Sequence, residues 1–460
     1  MDITFLGAAR EVTGSCHLLR VGTSTVALDF GTFQGRRAET HQKNATIPFA
    51  ADELTAVVLS HAHIDHSGRL PLLARAGIDR PVYATPATRD LCALMLADSA
   101  HIQEKDAQYL ARHHRPCAPP LYNQDDVTRL MGRIISVPYG VPFDVAPGIR
   151  ATYHDAGHIL GSASVSLECS EKGNTRRLVF SGDVGRWGLP IIRDPQPPAG
   201  ADVVIMESTY GNRDHPPVAE LPDQLARIVR DTAAKGGRVI IPAFAVGRTQ
   251  EILYDFHRLT RAKAIPPVPI VLDSPLAIAV TSVFATHPDA YDVREELVAT
   301  GEDLFDYGQL EFTRDTEASK ALNERRGPMV IIAASGMAES GRILHHLAHG
   351  APDPKNTILI VGFQAEHTLG RRIVERQPML KIFGTEVPLR ARVEILNGYS
   401  AHADRGELRR WLSAVRGTGH RAPPVHLVHG EPAAQNALAE VLRGDGYEVT
   451  APERGSRVAI

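Results

Sequence analysis

The sequence predicts an α/β protein with two kinds of sheet, and three observations carry the prediction. Up to about residue 209, many short apolar runs are cut by glycines and separated by helical stretches, as in packed sheets flanked by helices. From about Tyr210, helices alternate with short, fully apolar strands, as in a parallel, doubly wound sheet. The length of 460 residues exceeds one ordinary domain of about 100–200 residues, so two domains are expected.

The elements follow in order. Residues 3–6, 16–21 and 25–29 are apolar runs punctuated by Gly7, Gly14, Gly22 and Gly31, and read as strands. Residues 55–60 (TAVVLS) form an apolar strand that runs straight into His61. Helical periodicity with few breakers extends from Pro86 to about His113. Strands return at 149–154, 162–168, 177–181 and 203–206. In the second region, 221–234 and 250–262 read as helices, while 239–242, 270–272, 329–333 and 357–361 read as strands. A helix is expected near 342–349. After about residue 390 come a strand at 392–396, a helix at 405–416, a strand at 425–428 and a last helix and strand.

Composition narrows the class. The chain is 43% apolar and 22% charged with a net charge of −3, which excludes a disordered, collagen-like or coiled-coil chain. No apolar run approaches the roughly 18 residues of a membrane helix. The start, MDITFLGAARE, lacks the basic and apolar regions of a secretory signal, so a cytoplasmic location is expected. Cys16, Cys92, Cys117 and Cys169 form no C-x-x-C pair and read as free thiols. Arginine outnumbers lysine 42 to 8. Guanidinium suits phosphate recognition, although GC-rich coding gives the same bias.

The strongest local signal is His61-Ala62-His63-Ile64-Asp65-His66, directly after a strand. His61 and His63 point the same way from an extended backbone, and Asp65 and His66 turn back toward the same point. Four groups of ligand chemistry in six residues indicate metal binding. Three more stretches offer matching groups at strand ends: Asp155-Ala156-Gly157-His158, Ser181-Gly182-Asp183 and Val428-His429-Gly430-Glu431.

Together with VVIMEST at 203–209 and GYSAHAD at 398–404, these motifs resemble the metallo-β-lactamase superfamily and, within it, the β-CASP branch of nucleases. Within that branch the chain is similar to RNA-cleaving members like the cleavage-and-polyadenylation endonuclease. The resemblance covers essentially the whole chain. It implies an αββα sandwich of residues 1–209 and 386–460, with a β-CASP domain of parallel α/β type, 210–385, inserted as a cap. It implies two Zn²⁺ ions, with Mn²⁺ as the alternative metal. One ion would take His61, His63 and His158. The other would take Asp65, His66 and His429, and Asp183 would bridge them. Asp29 in LDFG would orient ligand histidines without binding metal.

The implied activity is that of a ribonuclease, acting as an endonuclease, a 5′-exonuclease or both. Metal-bound hydroxide would attack phosphorus, with Asp65 accepting or orienting its proton. His402, paired with Glu207, would protonate the leaving sugar oxygen as general acid; the alternative is a structural histidine capped by Asp404. Histidine at position 429 matches RNA-cleaving members, and single-stranded RNA is the expected substrate, threaded between the domains. No membrane partner is expected, and the sequence leaves monomer and homodimer both open.

Bulk charge does not explain RNA affinity, because residues 210–385 hold 20 basic and 22 acidic side chains. Ser335, Gly336, Met337 and Arg342 lie in a small-residue turn that opens a helix and would hold a substrate phosphate; an ordinary Gly-rich βα turn is the other reading. One departure is His367, where relatives commonly carry glycine. Two rival functions stay open: a small-molecule ester, thioester or lactam hydrolase of the same superfamily, and a catalytically silent RNA-processing scaffold.

Overall fold

The structure is a computed structural model that describes residues 1–35, 37–112, 118–292, 304–305, 307–362, 364–365, 367–418 and 421–460. Cys117, His113, and Phe363 and Glu366 of the segment around His367 lie outside the described residues. Two compact units are present. The first comprises Met1–Trp187, Asp194–Asp214 and His402–Ile460; the second comprises Gly188–Arg193 and His215–Ala401.

The first unit packs two seven-stranded sheets. One runs in the order Arg457–Ala459, Asp2–Gly7, Cys16–Val21, Ser24–Leu28, Ala56–Val58, Val82–Ala84, Ile134–Ser136. The other runs Val449–Thr450, Val425–Val428, Val203–Glu207, Asn174–Phe180, Ala163–Glu171, Ile149–Asp155, Phe143–Ala146. The period of two along each strand assigns its faces. Val203 and Ile205 join Ile3, Phe5, Leu28 and Val165 in the core between the sheets. Val204 and Met206 point the other way, onto Trp411, Leu412 and Leu438, which come from helices Arg405–Arg416 and Pro432–Gly444. On the far side, helix Pro86–Arg112 buries Leu91, Cys92, Met95 and Leu96. The expected αββα layering is present. Cys16, Cys92 and Cys169 are free and buried, as expected.

Parallel pairing brings several strand ends to one edge of the sandwich. Leu28 pairs with Val58, so Asp29 emerges beside the strand that leads to His61. In the other sheet Phe180 pairs with Ile205, and Glu207 with Val428. Ser181–Asp183, Glu207–Thr209 and His429 therefore leave neighbouring strands at the same end, the usual place for a site in sheets of this kind.

The second unit holds a six-stranded sheet in the order Leu310–Phe312, Ile270–Leu272, Met329–Ala333, Arg238–Pro242, Thr357–Ile360, Arg392–Ile395, paired in parallel throughout. The doubly wound expectation fits it. Two details differ from the sequence reading. Strand Arg392–Ile395 was expected in the C-terminal return beginning at 386, but it pairs with Thr357–Ile360 and the second unit extends to Ala401. Its pattern, half-exposed at Arg392 and Glu394, suits an edge strand of either sheet. The hairpin Met379–Ile382 with Thr385–Pro388 was not expected. Its two-residue turn, Phe383-Gly384, has φ of 52° and 82°, a positive pair that Asn-Gly usually signals and Phe-Gly does not. His367 has a φ of 68°, in the region where glycine is at ease and histidine is strained.

Candidate metal centre

All of the expected metal and proton-transfer side chains belong to the first unit. Asp29 follows its strand with a φ of 62°, an uncommon conformation for a residue with a Cβ. The bend lets its carboxylate reach back under the histidine-rich loop. It accepts the Ser60 amide at 2.8 Å, Ser60 Oγ at 2.9 Å and Ser15 Oγ at 3.0 Å, and it faces His66 Nδ1 at 2.7 Å. That contact puts the His66 proton on Nδ1 and turns Nε2 toward the cluster. Gly31 permits the crossing beneath the loop, since a Cβ there would stand 1.6 Å from the Asp65 carbonyl oxygen.

The donor atoms converge in two groups. In the first, His63 Nδ1 lies 3.1 Å from His61 Nε2 and 3.2 Å from His158 Nε2. Asp183 Oδ2 lies 3.4 Å from His61 Nε2 and 3.5 Å from His158 Nε2. In the second, His66 Nε2 stands 3.2 Å from His429 Nε2 and 3.4 Å from Asp183 Oδ1, and His429 Nε2 is 3.4 Å from Asp65 Oδ2. One ligand atom from each of His61, His63, His158 and Asp183 lies within 4.8 Å of the others, and the same holds for Asp65, His66 and His429, and for Asp183, His402 and His429. Four donors around an ion with bonds of about 2.0–2.1 Å would be separated by about 3.3–3.4 Å at tetrahedral angles. The observed separations bracket that value. Asp183 Oδ1 is buried and has no hydrogen-bond donor among the described residues. The donor set of imidazole nitrogens and carboxylate oxygens without thiolate suits zinc. The residues fit a metal ion.

At His63, His158 and Asp183 the electrostatics agree with that use. Burial, and then the neighbouring His61, hold His63 down to about 3; burial and His402 hold His158 well below the ordinary range. Neutral imidazole is the ligand form. Burial would raise Asp183, but His429, His66 and His61 outweigh it and keep the carboxyl ionised. His66 runs the other way: Asp183 and Asp29 pull it upward against its burial, toward a protonated ring whose proton a metal ion would have to displace.

His402 stands at the rim of the same cluster. Its Nδ1 is 3.1 Å from Glu207 Oε1 and 3.9 Å from Asp183 Oδ2. Burial lowers an imidazole, but Glu207 and Asp183 outweigh it and push His402 up to about 9. Glu207 is itself fixed: it is fully buried, and its two oxygens accept the Val184 amide at 2.7 Å and the Thr209 amide at 3.2 Å. Asp404, the other expected partner of His402, caps helix Arg405–Arg416 in a capping box with Glu407.

Sequence reasoning missed the hydroxyls. Ser60 lies 3.0 Å from His61 Nδ1, and Thr209 Oγ1 lies 3.1 Å from His429 Nδ1. Each sits next to or within a quoted motif, but a lone Ser or Thr carries no spacing signal.

The expected phosphate turn belongs to the second unit and has other work. Ser335 Oγ accepts the Glu339 amide at 3.1 Å and the Ser340 amide at 3.3 Å, and Gly370 N–H donates to Met337 O. Gly336 is explained by packing, since a Cβ there would fall 2.5 Å from the Phe244 ring. Arg342 donates to Asp273 Oδ1 at 2.6 Å and to the carbonyls of Thr313 and Arg314 at 3.0 and 2.8 Å. Its guanidinium makes these bonds within its own unit, which supports the ordinary βα turn over the expected phosphate grip.

Comparison with known proteins places the chain. Residues 9–214 match the metallo-beta-lactamase superfamily, 249–373 the Beta-Casp domain, and 386–452 the Zn-dependent metallo-hydrolase RNA specificity domain. A ribonuclease of Thermus thermophilus is 41% identical over 463 residues, covering 100% of both chains. The transcription termination factor FttA of Pyrococcus abyssi is 34% identical, covering 98% of this chain and 70% of its own. A crystal structure of a protein of unknown function from Enterococcus faecalis shares the fold, with a TM-score of 0.53 at 13% identity over 100% of this chain and 99% of that one. Fold and site define a metal-dependent hydrolase. The chain belongs to the β-CASP branch of the metallo-β-lactamase superfamily.

Proposed function

We propose that this protein is a ribonuclease that hydrolyses phosphodiester bonds of single-stranded RNA, with two zinc ions as cofactors, in the cytoplasm. Among the described residues no helix is long and apolar enough to cross a membrane. The observation that carries the reading is the His402–Glu207 pair set beside two converging donor groups. Ester or lactam hydrolysis would also need a proton for its leaving group, so the choice of a phosphodiester over these rests on the relatives. The 41%-identical relative named a ribonuclease supports the same choice.

His61, His63, His158 and Asp183 would hold one ion, and Asp65, His66, His429 and Asp183 the other. The ions would neutralise phosphoryl charge and supply hydroxide at neutral pH. The chain's own residues do the rest. Asp65 is tied to His429 through Oδ2 at 3.4 Å, and its other oxygen would orient the attacking water and take its proton. His402 gives its Nδ1 proton to the bond with Glu207, which leaves the Nε2 proton for the departing sugar oxygen.

End-labelled single-stranded RNAs, incubated with the zinc-loaded enzyme and after chelation, test this reading. A product ladder that vanishes on chelation and returns with zinc is expected, and comparing 5′- with 3′-labelled ladders separates endonuclease from 5′-exonuclease action. Faster turnover of a chromogenic lactam or thioester than of RNA would overturn it.

A further inference from the structure

We propose that Arg213 is a substrate-positioning residue: it grips a phosphate of the RNA strand next to the scissile one, on the side from which His402 delivers its proton. The inference rests on the ribonuclease reading and deepens it.

The segment 210–214 runs alongside the segment that carries His402. Tyr210 and Asp404 form a parallel bridge, and the Arg405 amide donates to the Arg213 carbonyl at 3.1 Å. Arg213 is therefore held in a fixed relation to the general acid. The Tyr210 ring lies 6.3 Å from the His402 ring, and the Arg213 guanidinium sits over that tyrosine ring at 5.1 Å. A stacked guanidinium keeps its in-plane N–H donors available.

Of the two cations in these paired segments, Arg213 is the one with no acidic partner among the described residues. Arg405 is paired with Asp214 at 2.5 Å, and Asp404 is occupied in its capping box with Glu407. The side chain of Arg213 is exposed, and its hydrogen bond in the structure is a 3.4 Å contact to Asn212 Oδ1, next to it in sequence. Tyr210 is buried, so it serves as a platform for the guanidinium and is closed to a stacked base. A chain of net charge −3 must draw RNA affinity from local cations of this kind.

The test compares Arg213→Ala and Arg213→Lys with wild type on RNA and on bis(p-nitrophenyl) phosphate, which has no neighbouring phosphate. For Arg213→Ala, KM for RNA is expected to rise roughly tenfold or more, with kcat within about twofold. The logarithmic salt dependence of RNA binding should become shallower by about 0.7, one phosphate on a single strand. Arg213→Lys should restore most of the salt slope but only part of the KM, because lysine keeps the charge and loses the fork. An unchanged KM and slope in Arg213→Ala overturns the inference. So does an equal loss on both substrates, which would mean that Arg213 acts through Tyr210 on His402. If wild type cleaves the nitrophenyl diester and no RNA, the ribonuclease reading itself has failed.

Discussion

The histidine cluster of the first unit and the Asp273 cluster of the second are made of the same materials. Both bury a carboxylate against imidazole, several rings around Asp183 and the single ring of His346 at Asp273, and both sit at the ends of parallel strands. Asp273 accepts Ser319 Oγ at 2.6 Å, Arg342 Nη1 at 2.6 Å and His346 Nε2 at 2.7 Å, while the other His346 nitrogen meets Asn323 at 2.9 Å. Both oxygens of the Asp273 carboxylate meet donors. Burial would raise the Asp273 carboxyl, but these hydrogen bonds outweigh it and hold the group below its ordinary range. Around Asp183 the pattern is inverted: imidazole nitrogens face one another at 3.1–3.2 Å, and among the described residues one carboxylate oxygen has no donor. A closed network needs nothing further, whereas acceptors that converge on one point call for a cation. Ligand-type residues alone do not mark a metal site; the direction of their lone pairs does.

The widest separation between the clusters should appear in metal content. Wild type is expected to hold about two zinc ions per chain. His63→Ala should lose metal and RNA cleavage together, and His346→Ala should keep the metal. Elemental analysis decides; equal metal in both variants would erase the distinction.

Next in size is the proton donor. His402→Ala should retain its zinc and lose roughly 10²–10⁴ in cleavage rate. The loss should shrink on a nitrophenyl phosphodiester, whose leaving group needs no proton. Equal losses on both substrates would make His402 a structural residue.

Much of this was legible because chemistry and sequence proximity coincided. HAHIDH places four donors in six residues, and the strand ends carrying His158, Asp183 and His429 could be read from apolar runs that stop at polar residues. Arg342 is ambiguous in the sequence for a physical reason. A glycine-rich turn that opens a helix has the same pattern whether it cradles a phosphate or folds on itself, and the deciding partner, Asp273, lies 69 residues away. Thr209 and Ser60 were invisible because a single hydroxyl has no periodicity. The edge strand Arg392–Ile395 was assigned to the wrong sheet because local pattern fixes a strand and leaves its partner open.

Arg342→Ala tests the closed network directly. It leaves a fully buried carboxylate short of its cation, which should cost about 3 kcal/mol of stability, the lower end for breaking a buried pair because the guanidinium is itself partly exposed. Denaturant unfolding should show the loss while zinc content stays at the wild-type level. A variant as stable as wild type but weak in RNA binding would return Arg342 to the substrate.

The smallest expected effect concerns Asp255, which stands in the second unit outside the Asp273 network. Its carboxylate is buried, accepts the Tyr399 hydroxyl at 2.6 Å and borders a cavity of about 330 Å³ lined by Leu189, Leu221, Pro222 and Arg258. Burial pushes its pKa up to about 6, against the lowering effects of Tyr399 and Arg258. A carboxyl whose folded pKa is raised is favoured in its protonated form. Its contribution to stability is fully present below the unfolded value of about 4 and is lost as pH rises through about 6. Asp255→Asn removes this titration while keeping an oxygen for Tyr399. The variant should match wild type near pH 4 and exceed it above pH 7, by on the order of 2 kcal/mol. Unfolding of both proteins across that range measures the difference, since the histidines and carboxylates of the metal centre titrate alike in each. A constant gap between the two curves would show that Asp255 is ionised throughout, held as Asp273 is by its partners.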